Sequence, residues 1–192
     1  MAKKIISIHI DGVLRNSLEK ILEIYEGENE VDLGRPLPSL DLEKELNFNS
    51  KEELIDFIYI ESPMRAFGNA KETEDGGAYM LNEIYKKFRD EYKFVLFSNE
   101  IEKSKPATLL FLAKTGILID NISFYPLEDY TTIWEESDVI ITDDMHILKM
   151  KPTDKFSIKF TTVYNEESES DGTINSLKDL LENDYFTRPE FA

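Results

Sequence analysis

The feature that most constrains this chain is a set of short apolar runs, each ending in a polar or acidic residue. Ile5-Ile6-Ser7-Ile8-His9-Ile10 runs straight into Asp11-Gly12, Phe94-Val95-Leu96-Phe97 into Ser98, and Val139-Ile140-Ile141-Thr142 into Asp143-Asp144. Apolar runs of this length suit strands buried on both faces, as in a parallel sheet covered by helices. The first run continues through a tight glycine turn into a helix. Two more segments, Ile119–Tyr125 and Phe156–Thr162, read as strands of the same kind.

Helical signals fill the intervals. Asn16 and Glu19 have the spacing of a capping box, and Leu18, Ile21, Leu22 and Tyr25 form one apolar stripe, which predicts a surface helix packed on the sheet. Met80, Leu81, Ile84, Tyr85 and Phe88 recur at helical spacing within 74–91, and a further helix opens at Ser104 and stops at Gly116. A weak helix is expected around Tyr130–Glu136 and a last amphipathic one over Ile174–Leu181. Strands alternating with helices imply an α/β fold: a doubly wound, five-stranded parallel sheet with helices on both faces and sites at the strands' carboxyl ends.

The segment 28–72 breaks the rhythm. Residues 28–49 lack a sustained period, with at most a short helix in Leu37–Leu46, and Ser50 with Glu53 caps a helix that Pro63 stops. The expected division is a core of residues 1–27 and 73–183, a small helical cap of 28–72, and a tail of 184–192. The tail's aromatics Tyr185, Phe186 and Phe191 either fold back or pack on a neighbour.

With 192 residues, 41% of them hydrophobic, the chain is long enough to bury a core. Its 39 acidic against 22 basic residues give a formal charge of -17, which repels nucleic acid backbones and anionic membranes. An acidic face either docks on a basic partner, binds cations, or simply keeps the protein in solution. The absence of Cys excludes thiol chemistry and suits a reducing compartment. No export signal and no apolar run near the ~20 residues of a bilayer span are seen, so a cytoplasmic location is expected. Richness in Ile, Lys, Asn and Glu hints at an AT-rich genome, bacterial or phage. For a phage protein the expected location is the host cytoplasm or the virion.

The marks at the strand ends resemble the motifs of the haloacid dehalogenase (HAD) superfamily over roughly residues 3–165. That family's first strand ends in Asp-x-Asp-Gly-(Thr/Val), and here His9-Ile10-Asp11-Gly12-Val13 stands in its place. Ser98 matches the Ser or Thr at the end of the second strand, and Asp143 with Asp144 the acidic pair of the fourth. The Val163-Tyr164-Asn165 turn is similar to deoxyribonucleotidase-like members. The resemblance implies Mg²⁺-dependent phosphoryl transfer in which the first Asp is the nucleophile, the second the general acid and base, and a Lys holds the phosphate.

Two components depart from that pattern. His9 removes both a nucleophile and a hard oxygen ligand for Mg²⁺. The motif Lys is missing, because no Lys occurs from 115 to 148 and Glu128 and Asp129 stand about where it is expected. Lys103 or Lys105 would have to reach in from another loop. His9 is expected as a neutral imidazole bonded to Asp143 or Asp11, the alternatives being a phosphorylated nitrogen or a transition-metal site with Asp143 and Asp144. His146 reads as a helix-start or surface residue, and Trp134 as core.

The resulting expectation is a catalytically inactive, HAD-like pseudophosphatase serving as a binding or structural component of a protein assembly. Asp11 and Ser98 are then vestigial. Asp143 and Asp144 are candidate metal ligands, although no cofactor is expected unless the protein is active, when Mg²⁺ would serve. Protein partners or a homo-oligomer are expected. The rival readings are an active Mg²⁺-dependent phosphatase or 5′-nucleotidase, and a sensor that binds a small phosphorylated ligand without turnover.

Overall fold

A computed structural model describes residues 3–38, 41–119 and 121–188 of the chain. β1 (Ile5–His9) leads to α1 (Ser17–Asn29), α2 (Leu42–Glu45) and α3 (Lys51–Ile55). A π-helical stretch (Asp56–Glu61) continues α3, and a second π-helical segment covers Met64–Gly68. Then come α4 (Gly77–Phe88), β2 (Lys93–Asn99), α5 (Lys105–Thr115), β3 (Ile122–Tyr125), α6 (Tyr130–Glu135) and β4 (Val139–Thr142). The chain ends with α7 (Met145–Lys149), β5 (Phe156–Phe160), β6 (Gly172–Ile174), α8 (Asp179–Glu182) and a 3-10 turn (Tyr185–Thr187).

The strands lie in the order β3-β2-β1-β4-β5-β6, and every neighbouring pair is parallel. The sheet therefore has six strands, not five. The extra one is Gly172–Ile174, where the sequence suggested the start of a helix; Phe160 pairs with Ile174. Asp179 Oδ2 accepts the backbone N–H groups of Asn175 and Ser176, at 2.7 and 3.1 Å, and the helix begins only at Asp179 itself.

Side chains alternate across the sheet, so each face acquires its own core. Ile6, Ile8, Phe94, Leu96, Val139, Ile141 and Ile158 face a cluster with α4, α5 and the C-terminal segment. Phe97 and Ile140 face a second one with Ile133 and Trp134 of α6 and Ile147 of α7. Trp134 is buried, and its Nε1 donates to the Ile147 carbonyl at 2.8 Å, tying α6 to α7.

A third cluster corrects the placing of α1. Ile21, Leu22 and Ile24 do not pack on the sheet but join Leu37, Leu46, Phe57, Ile58 and Phe67, so α1 shares the apolar core of the insertion. Asn16 does accept from the Glu19 N–H, and Ser50 from the Glu53 N–H. Within the described residues the tail folds back: Phe186 stacks on Phe88 at 4.2 Å, and the Tyr185 hydroxyl bonds both N–H and C=O of Thr173. Phe191 lies outside the described residues. No described helix is long and apolar enough to cross a membrane.

Candidate functional site

β1 is central, with β2 on one side and β4 on the other, so chain direction diverges at its carboxyl end and leaves a crevice there. His9 occupies that end. It is paired in register with Phe97, and the two rings stack at 4.7 Å and 2°. Its Nδ1 hydrogen-bonds Thr142 Oγ1 at 3.0 Å. The expected partners, Asp143 and Asp11, are thus replaced by Thr142, with Asp143 Oδ1 standing off at 3.9 Å. Burial lowers the pKa of His9 despite the opposing pull of Asp11 and Asp144, so the ring is neutral at physiological pH. Thr142 Oγ1 also accepts from the Asp144 N–H, which still leaves it a lone pair and a hydrogen. The His9 ring can therefore take either tautomer, and Nε2, with no hydrogen bond among the described residues, can accept or donate.

Asp11 lies past the strand end and is not free. Arg15 donates to it from Nε at 3.0 Å and from Nη2 at 2.7 and 3.0 Å. Ser17 and Ser98 also donate to it, Ser98 at 2.7 Å. Burial would raise the Asp11 pKa, but Arg15, His9 and the two hydroxyls outweigh it and hold the carboxyl below its usual range. The guanidinium is fully buried. It also reaches Thr108 at 2.6 Å and Glu100 at 3.3 Å, and lies 4.6 Å from the ring centre of Phe67, in the insertion, and 5.6 Å from that of Phe111. Glu100 in turn accepts from Ser104 and Thr108.

Sequence reasoning passed over Arg15, Glu100 and Thr108. The available signal was an arginine inside the apolar stretch Val13-Leu14-Arg15, four residues after an aspartate.

Asp143 sits on the glycine turn. A Cβ on Gly12 would lie 1.9 Å from Asp143 Oδ2, and Gly12 has φ +76°, where only glycine is unstrained. Gly12→Ala is expected to cost about 2–4 kcal/mol, from left-handed strain and forced displacement of Asp143; a urea melt measures it, and a loss below ~1 kcal/mol would contradict this packing.

Asn165 fixes the acidic loop from the other side, donating from Nδ2 to the carbonyls of Asp143 and Phe160, both at 2.9 Å. Lys159 is buried and turned away from the cavity, its ammonium donating to the carbonyls of Asn165, Glu166 and Ser168. Asp144 caps α7 through the N–H groups of His146 and Ile147. His146 stacks on Tyr130.

Above these groups, between sheet and insertion, is a cavity of about 710 Å³ lined by His9, Asp11, Asp143, Asp144 and His146, with no Lys among its lining residues. Its one arginine, Arg35, is paired with Glu19 at 3.1 Å and Glu26 at 2.9 Å. Lys103 and Lys105 do not line it, and Lys105 lies over Phe124 instead. Glu128 pairs with Lys51 of the insertion, and Asp129 caps α6 through the Thr132 N–H.

These residues do not fit the divalent cation that the motif resemblance implies. The neutral imidazole stands in place of a carboxylate, the Asp11 oxygens are taken by a guanidinium that would repel a second cation, and Asp144 is engaged by backbone donors. No three His, Asp or Glu side chains converge as a metal site among the described residues.

Comparisons place the fold. No family model matches the sequence, and no curated protein does. Among solved structures, a haloacid dehalogenase-like hydrolase from Streptococcus pneumoniae aligns over 94% of this chain and 98% of its own, at 15% identity and a TM-score of 0.65. A haloacid dehalogenase-like protein of Agrobacterium tumefaciens gives 97% and 99% coverage, 14% identity and 0.62. YfnB of Bacillus subtilis, described as a HAD-hydrolase and bound to magnesium, gives 95% and 99%, 9% and 0.58. At these identities the likeness establishes a HAD-type fold.

Proposed function

We propose that this chain uses a HAD-type fold as a binding scaffold within a protein assembly or homo-oligomer and does not perform aspartyl phosphoryl transfer. One observation carries the reading: Asp11, at the general acid's position, is held ionised by buried Arg15. A general acid must carry a proton near the working pH and release it to the leaving group. A carboxylate held below its usual range by a fixed guanidinium does neither. His9 likewise offers no carboxylate to phosphorus, and a phosphate entering the cavity would meet Asp143 and Asp144 with no lysine to hold it.

The test is phosphate release on a panel of nucleotides and sugar phosphates with Mg²⁺, Mn²⁺ or Zn²⁺. Wild type and His9→Asp are both expected to stay at background, because restoring a nucleophile leaves Asp11 clamped and the cavity without lysine. Efficient hydrolysis by His9→Asp alone would defeat this account. The likeness to hydrolases, one of them bound to magnesium, favours a second reading, a Mg²⁺-dependent phosphatase or 5′-nucleotidase. Wild-type turnover abolished by Asp11→Asn would establish it.

A further inference from the structure

We infer that the insertion is not a lid but a fixed part of the sheet's own body, riveted to it by the Arg15 guanidinium, so that the cavity is entered without a hinge opening. A segment that closes over a site moves as a unit where few buried contacts tie it to its neighbour and a short run of free backbone absorbs the change. Neither condition is met here.

The two passages of chain that carry the insertion are joined to each other. Arg15 and Glu72 form an antiparallel bridge, the Asn16 N–H donates to the Lys71 carbonyl at 3.0 Å, and the Thr73 N–H donates to the Leu14 carbonyl at 2.9 Å. Rotation at one passage therefore has to be matched at the other.

A seam with α5 holds the insertion along its length. Ala107 of α5, 1% exposed, belongs to the apolar cluster of the insertion. Gly68 lies so close to the same helix that a Cβ there would sit 3.3 Å from Leu110 Cδ2 and 3.4 Å from the Ala107 carbonyl oxygen. One turn on, Lys114 Nζ donates to the Gly68 carbonyl at 3.2 Å and to Asn69 Oδ1 at 3.0 Å. On other sides the Leu37 N–H donates to the Tyr164 hydroxyl at 3.0 Å, and Lys51 pairs with Glu128.

Arg15 fastens the seam from within. Its N–H groups are given to Asp11, Glu100 and Thr108, and the guanidinium lies 4.6 Å from the ring centre of buried Phe67. Lifting the insertion would uncover the Phe67 ring and the guanidinium together, and the guanidinium could not follow, because the sheet side holds it. Exposed pairs such as Lys51 with Glu128 yield to salt, whereas this contact is closed to it. A ligand must then fit the cavity as it stands, and a protein partner meets one surface rather than an open and a closed one.

The experiment is amide hydrogen exchange of the full chain, followed peptide by peptide. The slowest amides of α1 and of residues 57–58 are expected within about tenfold of those in β1 and β4, since both sets exchange only when the whole chain unfolds. Insertion amides exchanging more than tenfold faster than the sheet would show the insertion opening alone, and would overturn the inference. The chain has no Cys, so spin labels at Lys44→Cys in the insertion and Lys149→Cys on α7 give an independent reading. One narrow distance is expected, and a second, longer one would count equally against it.

Arg15→Met should speed exchange in the insertion at least about tenfold relative to β1 and β4 of the same molecule, a ratio that general destabilisation does not move. Should that variant fail to fold, Phe67→Leu keeps an apolar side chain but removes the ring beneath the guanidinium, and should raise the same ratio about threefold or more. An unchanged ratio removes Arg15 from the role given to it. Phosphate-ester turnover bears on the scaffold reading alone and leaves these outcomes untouched.

Discussion

Arg15→Met is expected to lower the unfolding free energy by about 3–5 kcal/mol, the cost of leaving buried carboxylates without their counter-ion. Glu100 is 3% exposed and Asp11 partly buried, and among the described residues the guanidinium is the one cation paired with both. At roughly 2–4 °C per kcal/mol for a chain of this size, the melting temperature should fall by about 6–20 °C. Arg15→Lys keeps the charge but loses the fork that serves Asp11, Glu100 and Thr108 together, so it should recover only part of the loss. Urea denaturation of the three proteins decides the matter. A loss under ~1 kcal/mol for Arg15→Met would mean that the carboxylates find other partners and that Asp11 is not clamped.

Asp143 should make the protein less stable as pH rises. Burial, then the nearby Asp144, then Asp11 push its pKa from the ordinary 3.8 up to about 8. Between those values the folded chain holds a proton that the unfolded chain has released. Unfolding then releases a proton, and stability falls with each pH step through the window, reaching its floor above about 8. The ceiling is about 1.4 kcal/mol per pH unit, and partial exposure of the group brings the total to about 2–4 kcal/mol. Asp143→Asn, nearly identical in shape, should recover that amount at pH 9 and flatten the profile. Asp11 works in the opposite sense: its folded pKa is depressed, so its stabilisation is present above the unfolded value and is lost as pH falls through the folded one. Unfolding free energies across pH 3–9 separate the two, and an Asp143→Asn profile parallel to wild type would refute the assignment.

The strand core was legible because strands buried on both faces leave unbroken apolar runs, as at Val139–Thr142. β6 was not, since three residues, Gly172-Thr173-Ile174, are too few to show a period, and Ile174 and Leu177 mimic helical spacing. The stripe on α1 revealed an apolar face but not its destination, because a helix buries the same residues against a sheet or against other helices. At the site, His9, Asp11, Ser98, Asp143 and Asp144 were found from motif positions, and the structure gathers them at the carboxyl end of the sheet. Their roles depend on charges that arrive from afar: Glu100 follows another strand and Thr108 belongs to another helix, and only the tertiary fold brings them to Arg15.

The central place of β1 also has a consequence for biosynthesis. The strand is the first of the six to be made, yet both of its partners, β2 and β4, come from much later in the chain. At a few to about 20 residues per second, it waits seconds on the ribosome with both edges unpaired and three isoleucines among its five residues. Pairing of this range is intrinsically slow, and an exposed apolar edge is a template for association with other chains. The segment that builds the floor of the cavity is therefore also the one most in need of protection while the protein is being made.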